Sequence, residues 1–189
     1  MVATLLGIGF GNSFAFGAVL GLVVPFAVEQ LDLGNKDARI GILYSATGVG
    51  ALLAGLVLGR LFRPERLRWI TPGTLAVSAL AITGLVLATR WPIAAVLYAL
   101  LSWSISTTIT VGITYRQLAA PDDLRSSVNV LGRMISWGGQ PFGAAVGALV
   151  AQAHSVHTAY VVAAAVMATT AAVATALLAR GVDPVPAAA

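Results

Sequence analysis

Six long apolar runs decide what this chain can become. They are Val2–Val28, Ile40–Leu61, Trp69–Thr89, Pro92–Tyr115, Val128–Gln152 and Thr158–Leu178. The hydrocarbon core of a bilayer is about 30 Å thick, so a spanning helix needs about 20 mostly apolar residues. Each run meets that requirement. The longest gaps between them, Glu29–Arg39 and Arg116–Ser127, leave no room for a soluble domain. Backbone polar groups must be paired in lipid, which admits only helices or a closed barrel. Runs such as VVAAAVMATTAAVATALL (161–178) lack the alternation of a barrel strand. The expected fold is therefore all-α: one six-helix transmembrane domain over residues 1–180, then a disordered tail over 181–189.

Composition closes off the other classes. Charged residues make up 10% of the 189 and apolar residues 58%, whereas a soluble domain carries about a quarter charged residues. A disordered chain and a soluble enzyme are excluded. With no cysteine there is no disulfide scaffold. The first run lacks a basic leader and is too long for a signal peptide. A chain that starts almost inside the membrane suggests a piece of a larger assembly. The net charge of +4 reflects Arg clusters between apolar runs, with no basic stripe for nucleic acid.

Those clusters give an orientation. The even-numbered connections and the C-terminal end hold Arg60, Arg63, Arg66, Arg68, Arg116, Arg125, Arg133 and Arg180; the odd-numbered ones hold only Lys36, Arg39 and Arg90. The positive-inside rule then places both termini in the cytoplasm, and the plasma membrane is the expected location. All acidic residues, including Glu29, Asp37, Glu65 and Asp122, fall in loops or at helix ends. No carboxylate or histidine enters a span, although ion-coupled carriers commonly place one there. His154 and His157 share one outer loop.

Glycine and neutral polar residues supply the remaining signals. Among 20 glycines, the pairs Gly17/Gly21, Gly55/Gly59 and Gly143/Gly147 form ridges where helix backbones can approach. The Gly-rich second and fifth runs occupy matching places in two groups of three, as a 3+3 inverted repeat requires. Gln140-Pro141 in mid-span suggests a locally opened helix facing a cavity. The fourth run, SWSISTTITVGITY (102–115), is the most polar. Trp103, Ser106, Thr107 and Thr110 follow helical spacing along it. With Asn12, Phe16 and Gln140 at similar depth, they are the expected lining of a substrate cavity. Hydroxyls in such a stripe can also bond their own i−4 carbonyls. The TVGIT segment (110–114) resembles a potassium filter but lies in a full-length span. Neither a catalytic constellation nor a metal-binding or cofactor motif is present, so no enzyme is expected.

Two segments carry a family resemblance. GLVLGRLFRPERLR (55–68) resembles the degenerate second copy of the major facilitator signature, Gly-x-x-x-Asp-Arg-x-Gly-Arg-Arg. Gly55, Arg60 and Arg63 match; Gly59 replaces the acidic position and Phe62 the internal glycine. Residues 115–151 look like the corresponding loop and eleventh helix of drug- and siderophore-exporter-like facilitators, through Arg116-Gln117, Pro121, Arg133 and Pro141–Gly143. The resemblance implies the C-terminal half of a twelve-helix transporter working by alternating access. It further implies that Arg60, Arg63, Arg116 and Arg133 belong to cytoplasmic gating segments. The expected partners are the bilayer, a small amphipathic substrate for efflux, and an N-terminal half or a second copy. The alternative is a six-helix membrane assembly protein that packs through its glycine ridges.

Overall fold

The computed structural model describes residues 2–61, 64–119 and 125–179, with side chains placed over 7–57, 69–114 and most of 126–177. The described residues form seven helices: α1 (Val2–Gly21), α2 (Val23–Glu29), α3 (Ala38–Leu61), α4 (Pro64–Leu87), α5 (Trp91–Ala119), α6 (Arg125–Ala153) and α7 (Val156–Ala179). Short connections make successive spans antiparallel. One end of the bundle is called the Val2 side and the other the Glu29 side. Helices α3, α4, α5 and α7 are each long and apolar enough to cross a membrane, and the α1–α2 pair makes a fifth candidate. Helix α6 has the length, at 29 residues, but Asn129, Arg133, Gln140 and Gln152 dilute its apolar content.

The first expected span is broken. α1 and α2 meet at 50° around Leu22. Pro25 has no N–H to give the Gly21 carbonyl, and the Leu22 N–H tightens onto Val19 O at 3.2 Å. The Tyr160 hydroxyl covers the exposed turn by donating to Val19 O at 3.1 Å. It also pairs with the buried Tyr98 hydroxyl. Phe26 stacks on Tyr160 at 4.7 Å and meets Tyr98 edge-on at 5.9 Å. The opening expected at Gln140-Pro141 is absent, because α6 runs through Pro141 without a break.

Beyond the break, Gln30 ties the Glu29 side together. Its amide nitrogen lies 3.1, 2.8 and 3.2 Å from the carbonyls of Leu85, Val86 and Ala88, at and just beyond the C-terminal end of α4. α3 is capped in turn by Asp37, which accepts the Arg39 N–H at 2.9 Å. Hydrogen bonds from the Arg39 side chain, foremost, hold the Asp37 carboxyl below the usual carboxylate range. The charged cap is present at neutral pH and is lost as pH falls through that lowered value.

Packing follows a paired scheme. α1 packs most extensively on α6, and α3 on α5; α1–α7 and α4–α5 form a second pair of interfaces, and α4 meets α7. Exchanging α1 with α5, α3 with α6 and α4 with α7 maps this set onto itself, which is the 3+3 repeat in contact form. Glycines set the closest approaches. A Cβ on Gly143 would overlap the Phe14 carbonyl, one on Gly17 the Gln140 carbonyl, and one on Gly50 the Ala99 carbonyl. The expected ridge at Gly143/Gly147 thus lies against α1, with Gly147 on Ala18. Gly55 instead faces open space, and Gly50 makes the α3 contact. Gly59 lies in α3, but its surroundings fall outside the described residues.

Gly143→Val should therefore force α1 and α6 apart and destabilise the bundle by about 2 kcal/mol or more. Gly55→Ala should leave stability unchanged or raise it by a few tenths of a kcal/mol. Thermal unfolding of the purified variants in detergent checks both.

Candidate functional site

α5 carries its polar residues on two faces. Toward α4, Ser104 and Thr108 are buried. The Thr108 and Thr74 hydroxyls pair at 2.7 Å, Ser104 donates to Thr74 O at 2.6 Å, and Ser78 bonds Ser104. This seam joins two helices through side chains, where apolar lipid gives little drive for association. Its members were not among the expected lining residues. Thr71, Thr74 and Ser78 recur along α4 at helical spacing, and pairing that row with Ser104 and Thr108 would have located it.

The opposite face of α5 is the expected stripe, in part. Trp103 and Ser106 are half-buried and Thr110 is exposed. They continue the exposed apolar row Ile93, Val96 and Leu100. Thr107, at the edge of this face, is buried and donates to the Trp103 carbonyl at 2.8 Å. Thr110 donates to Ser106 O at 2.9 Å and Thr114 to Thr110 O at 3.0 Å. The hydroxyl protons are therefore spent within the helix, while oxygen lone pairs stay open to a donor. Trp103 also lines a shallow apolar groove with Leu53, Val57 and Leu100.

The other expected lining residues separate by depth. Asn12 is only 1% exposed and lies inside the bundle. It lines a cavity of about 50 Å³ together with Thr71, Thr108 and Ser136. Phe16 is half-buried against the core. Gln140 is half-buried on α6, with its backbone against Gly17. Among the described residues, Asn12 borders the small cavity and Trp103 the apolar groove, so the two line different spaces. An aromatic group missed by the spacing argument lies instead at the α1–α6 seam, where Phe10 is 6.4 Å from both Phe14 and Phe142.

Arg60, Arg116 and Arg133 are helical rather than in loops. Arg60 ends α3, Arg116 lies in the last turns of α5, and Arg133 is two turns into α6. The Arg133 guanidinium sits 5.1 Å from the centroid of the Trp137 ring. The cation–π contact holds the charge against an aromatic face. Its i, i+4 spacing was readable in the sequence. The side chains of Arg60 and Arg116, and all of Arg63, lie outside the described residues. No cluster of His, Asp or Glu suited to a metal occurs among the described residues.

A bundle of membrane-length helices, one of them broken, with a neutral polar row turned outward, defines a polytopic membrane protein of transporter type. Residues 5–189 match the sequence pattern of the Major Facilitator Superfamily, and the chain belongs to that family. It is thus a member of a transporter family and not of an enzyme family. The search of curated proteins found no match. Among solved structures, the crystal structure of a point mutant of the nucleoside transporter NupG is similar, with a TM-score of 0.70 and 18% identity. The alignment covers 93% of this chain and 44% of that one, so the chain spans less than half the length of its structural relative. At this identity the likeness defines the fold.

Because Thr108 carries an interhelical bond and Thr110 an intrahelical one, their valine variants should differ. Thr108→Val should cost about 0.6–2 kcal/mol and Thr110→Val less than about 0.5 kcal/mol. Thermal unfolding of the two variants beside the unmodified protein measures the gap.

Proposed function

We propose that this chain is one six-helix half of a transporter that moves a small amphipathic molecule across the plasma membrane by alternating access, in the export direction. The observation that carries the reading is the outward row of Trp103, Ser106 and Thr110 on α5. The α4 seam fixes the opposite face of the helix, so the row is a surface in its own right. Hydroxyl lone pairs beside an indole ring and aliphatic side chains suit a ligand with a few hydrogen-bond donors on an apolar frame. The break in α1 fits the same mechanism, since discontinuous helices are a recurrent feature of carrier sites.

A second half completes the cavity in this proposal. α3 supports it: Gly41, Gly48 and Gly55 recur every seven residues, all exposed, with open space where a Cβ would stand. Such a strip admits close approach of another helix, supplied by an N-terminal half or a second copy. Both termini are cytoplasmic in this arrangement, following the arginine distribution. Arg60, Arg63, Arg116 and Arg133 then act at the cytoplasmic gate. The open glycine strip also favours a second reading, in which the chain packs against a partner without transporting anything.

The absence of cysteine makes the test direct. In the assembled protein, Thr110→Cys and Ser106→Cys should react with a membrane-impermeant maleimide, and Leu80→Cys should not. Purified monomer in proteoliposomes should give no flux of nucleosides or amphipathic dyes. Flux from the monomer would overturn the half-transporter reading. Unreactive cysteines at both α5 positions would favour the assembly reading.

A further inference from the structure

Two buried polar atoms on different helices have no hydrogen-bond partner: Asn12 Oδ1 on α1 and Ser136 Oγ on α6. Asn12 is 1% and Ser136 7% exposed. Leaving such groups unpaired at membrane depth is strongly unfavourable. Both residues line the same 50 Å³ cavity, which Thr71 and Thr108 also border. Gly9 makes room for it, since a Cβ there would come within about 2.5 Å of Ser136 Oγ.

We infer that this cavity is a hydration site holding one or two ordered waters that bridge Asn12 to Ser136 and so tie α1 to α6. A water fills about 30 Å³ in the liquid and needs two to four polar partners. Asn12 Oδ1 is an acceptor only, so its partner must donate; Ser136 Oγ can do either. The Thr108 oxygen, already bonded to Thr74 and donating to Ser104 O at 3.0 Å, has a lone pair to spare. The cavity therefore offers three polar partners to a donor-acceptor ligand of water's size. It is far below the several hundred Å³ of a drug-sized site. A metal ion fits poorly, because no carboxylate or imidazole borders it. The site lies inside the bundle, on the far side of α5 from the Trp103–Thr110 row, and stands apart from the proposed substrate surface.

The test is a double-mutant cycle on the purified full chain in lipid nanodiscs, using Asn12→Leu and Ser136→Ala. Asn12 and Ser136 do not bond each other directly, so non-additivity reads either the bridging water or packing around the shared cavity, and a density map of the unmodified protein separates the two. Each single variant should lower the melting temperature by about 2–4 °C, and the double variant by clearly less than the sum. Additive losses, or a rise in melting temperature with Asn12→Leu, would mean a dry cavity and overturn the inference. A sodium-specific rise in melting temperature, absent with choline at equal ionic strength, would assign an ion and overturn it as well. Should either variant fail to fold, a density map of the unmodified protein at about 2 Å decides. A peak within hydrogen-bond distance of both oxygens supports the water, and an empty cavity refutes it.

Discussion

Because glycine removes every side-chain atom between them, the backbones of α1 and α6 can meet reciprocally, Gly143 at the Phe14 carbonyl and Gly17 at the Gln140 carbonyl. Lipid tails are as apolar as leucine, so burying apolar surface gives membrane helices little reason to associate. Dispersion between closely placed backbones and hydrogen bonds between side chains must do so instead. The same contact recurs between α3 and α5 at Gly50 and Ala99. Everything else in the bundle is arranged around these two seams. α4 and α7 fill the flank behind them, and the polar links of α4 to α5 and of α7 to the bent α1 secure that flank.

The polar groups divide according to what each must satisfy. Ser78, Ser104, Thr74 and Thr108 satisfy one another and become structural. Tyr160 adds a second donor to the Val19 carbonyl at the α1 break and becomes structural too. Thr110 and Thr114 close on their own helix and stay accessible. A residue type that looks uniform in the sequence therefore takes three roles, selected by which neighbour lies within about 3 Å. Charge is handled with equal economy: the one cation described well inside a helix, Arg133, rests on an indole ring.

Much of the fold was legible because hydropathy and the bilayer's thickness leave so few choices. The helices, their antiparallel order and a close-packing ridge at Gly143 follow from apolar length and small-residue spacing alone, whereas the helix it meets, α1, does not. Proline proved ambiguous. Pro141 sits within a continuous helix, whereas Pro25 accompanies a break, where Gly21 adds a second weak point one turn earlier and Tyr160 bonds the Val19 carbonyl of the tightened turn. That tyrosine is 141 residues from its acceptor, beyond any local pattern. The site was half legible for a related reason. Periodicity found the stripe on α5 but could not tell which of its members are buried, as Thr107 is, from those that are accessible, as Thr110 is. Asn12 drew attention as a polar residue at depth, yet its partner across the cavity, Ser136, is an ordinary serine until α6 is laid against α1.

Gln30 gives the broken helix a mechanical meaning. By gripping the end of α4 through three carbonyls, it fastens α2 to a helix on the flank of the bundle. The longer segment, α1, is fastened to α6 by glycine contacts. The two parts of one span thus lean on different neighbours, α1 mainly on α6 and α2 through Gln30 on the end of α4, while Tyr160 of α7 touches both. A change of angle between the α6 side and the α4 side would bear most directly on the turn at Gly21–Leu22. The joint works as a fulcrum, with Tyr160 as its bearing surface.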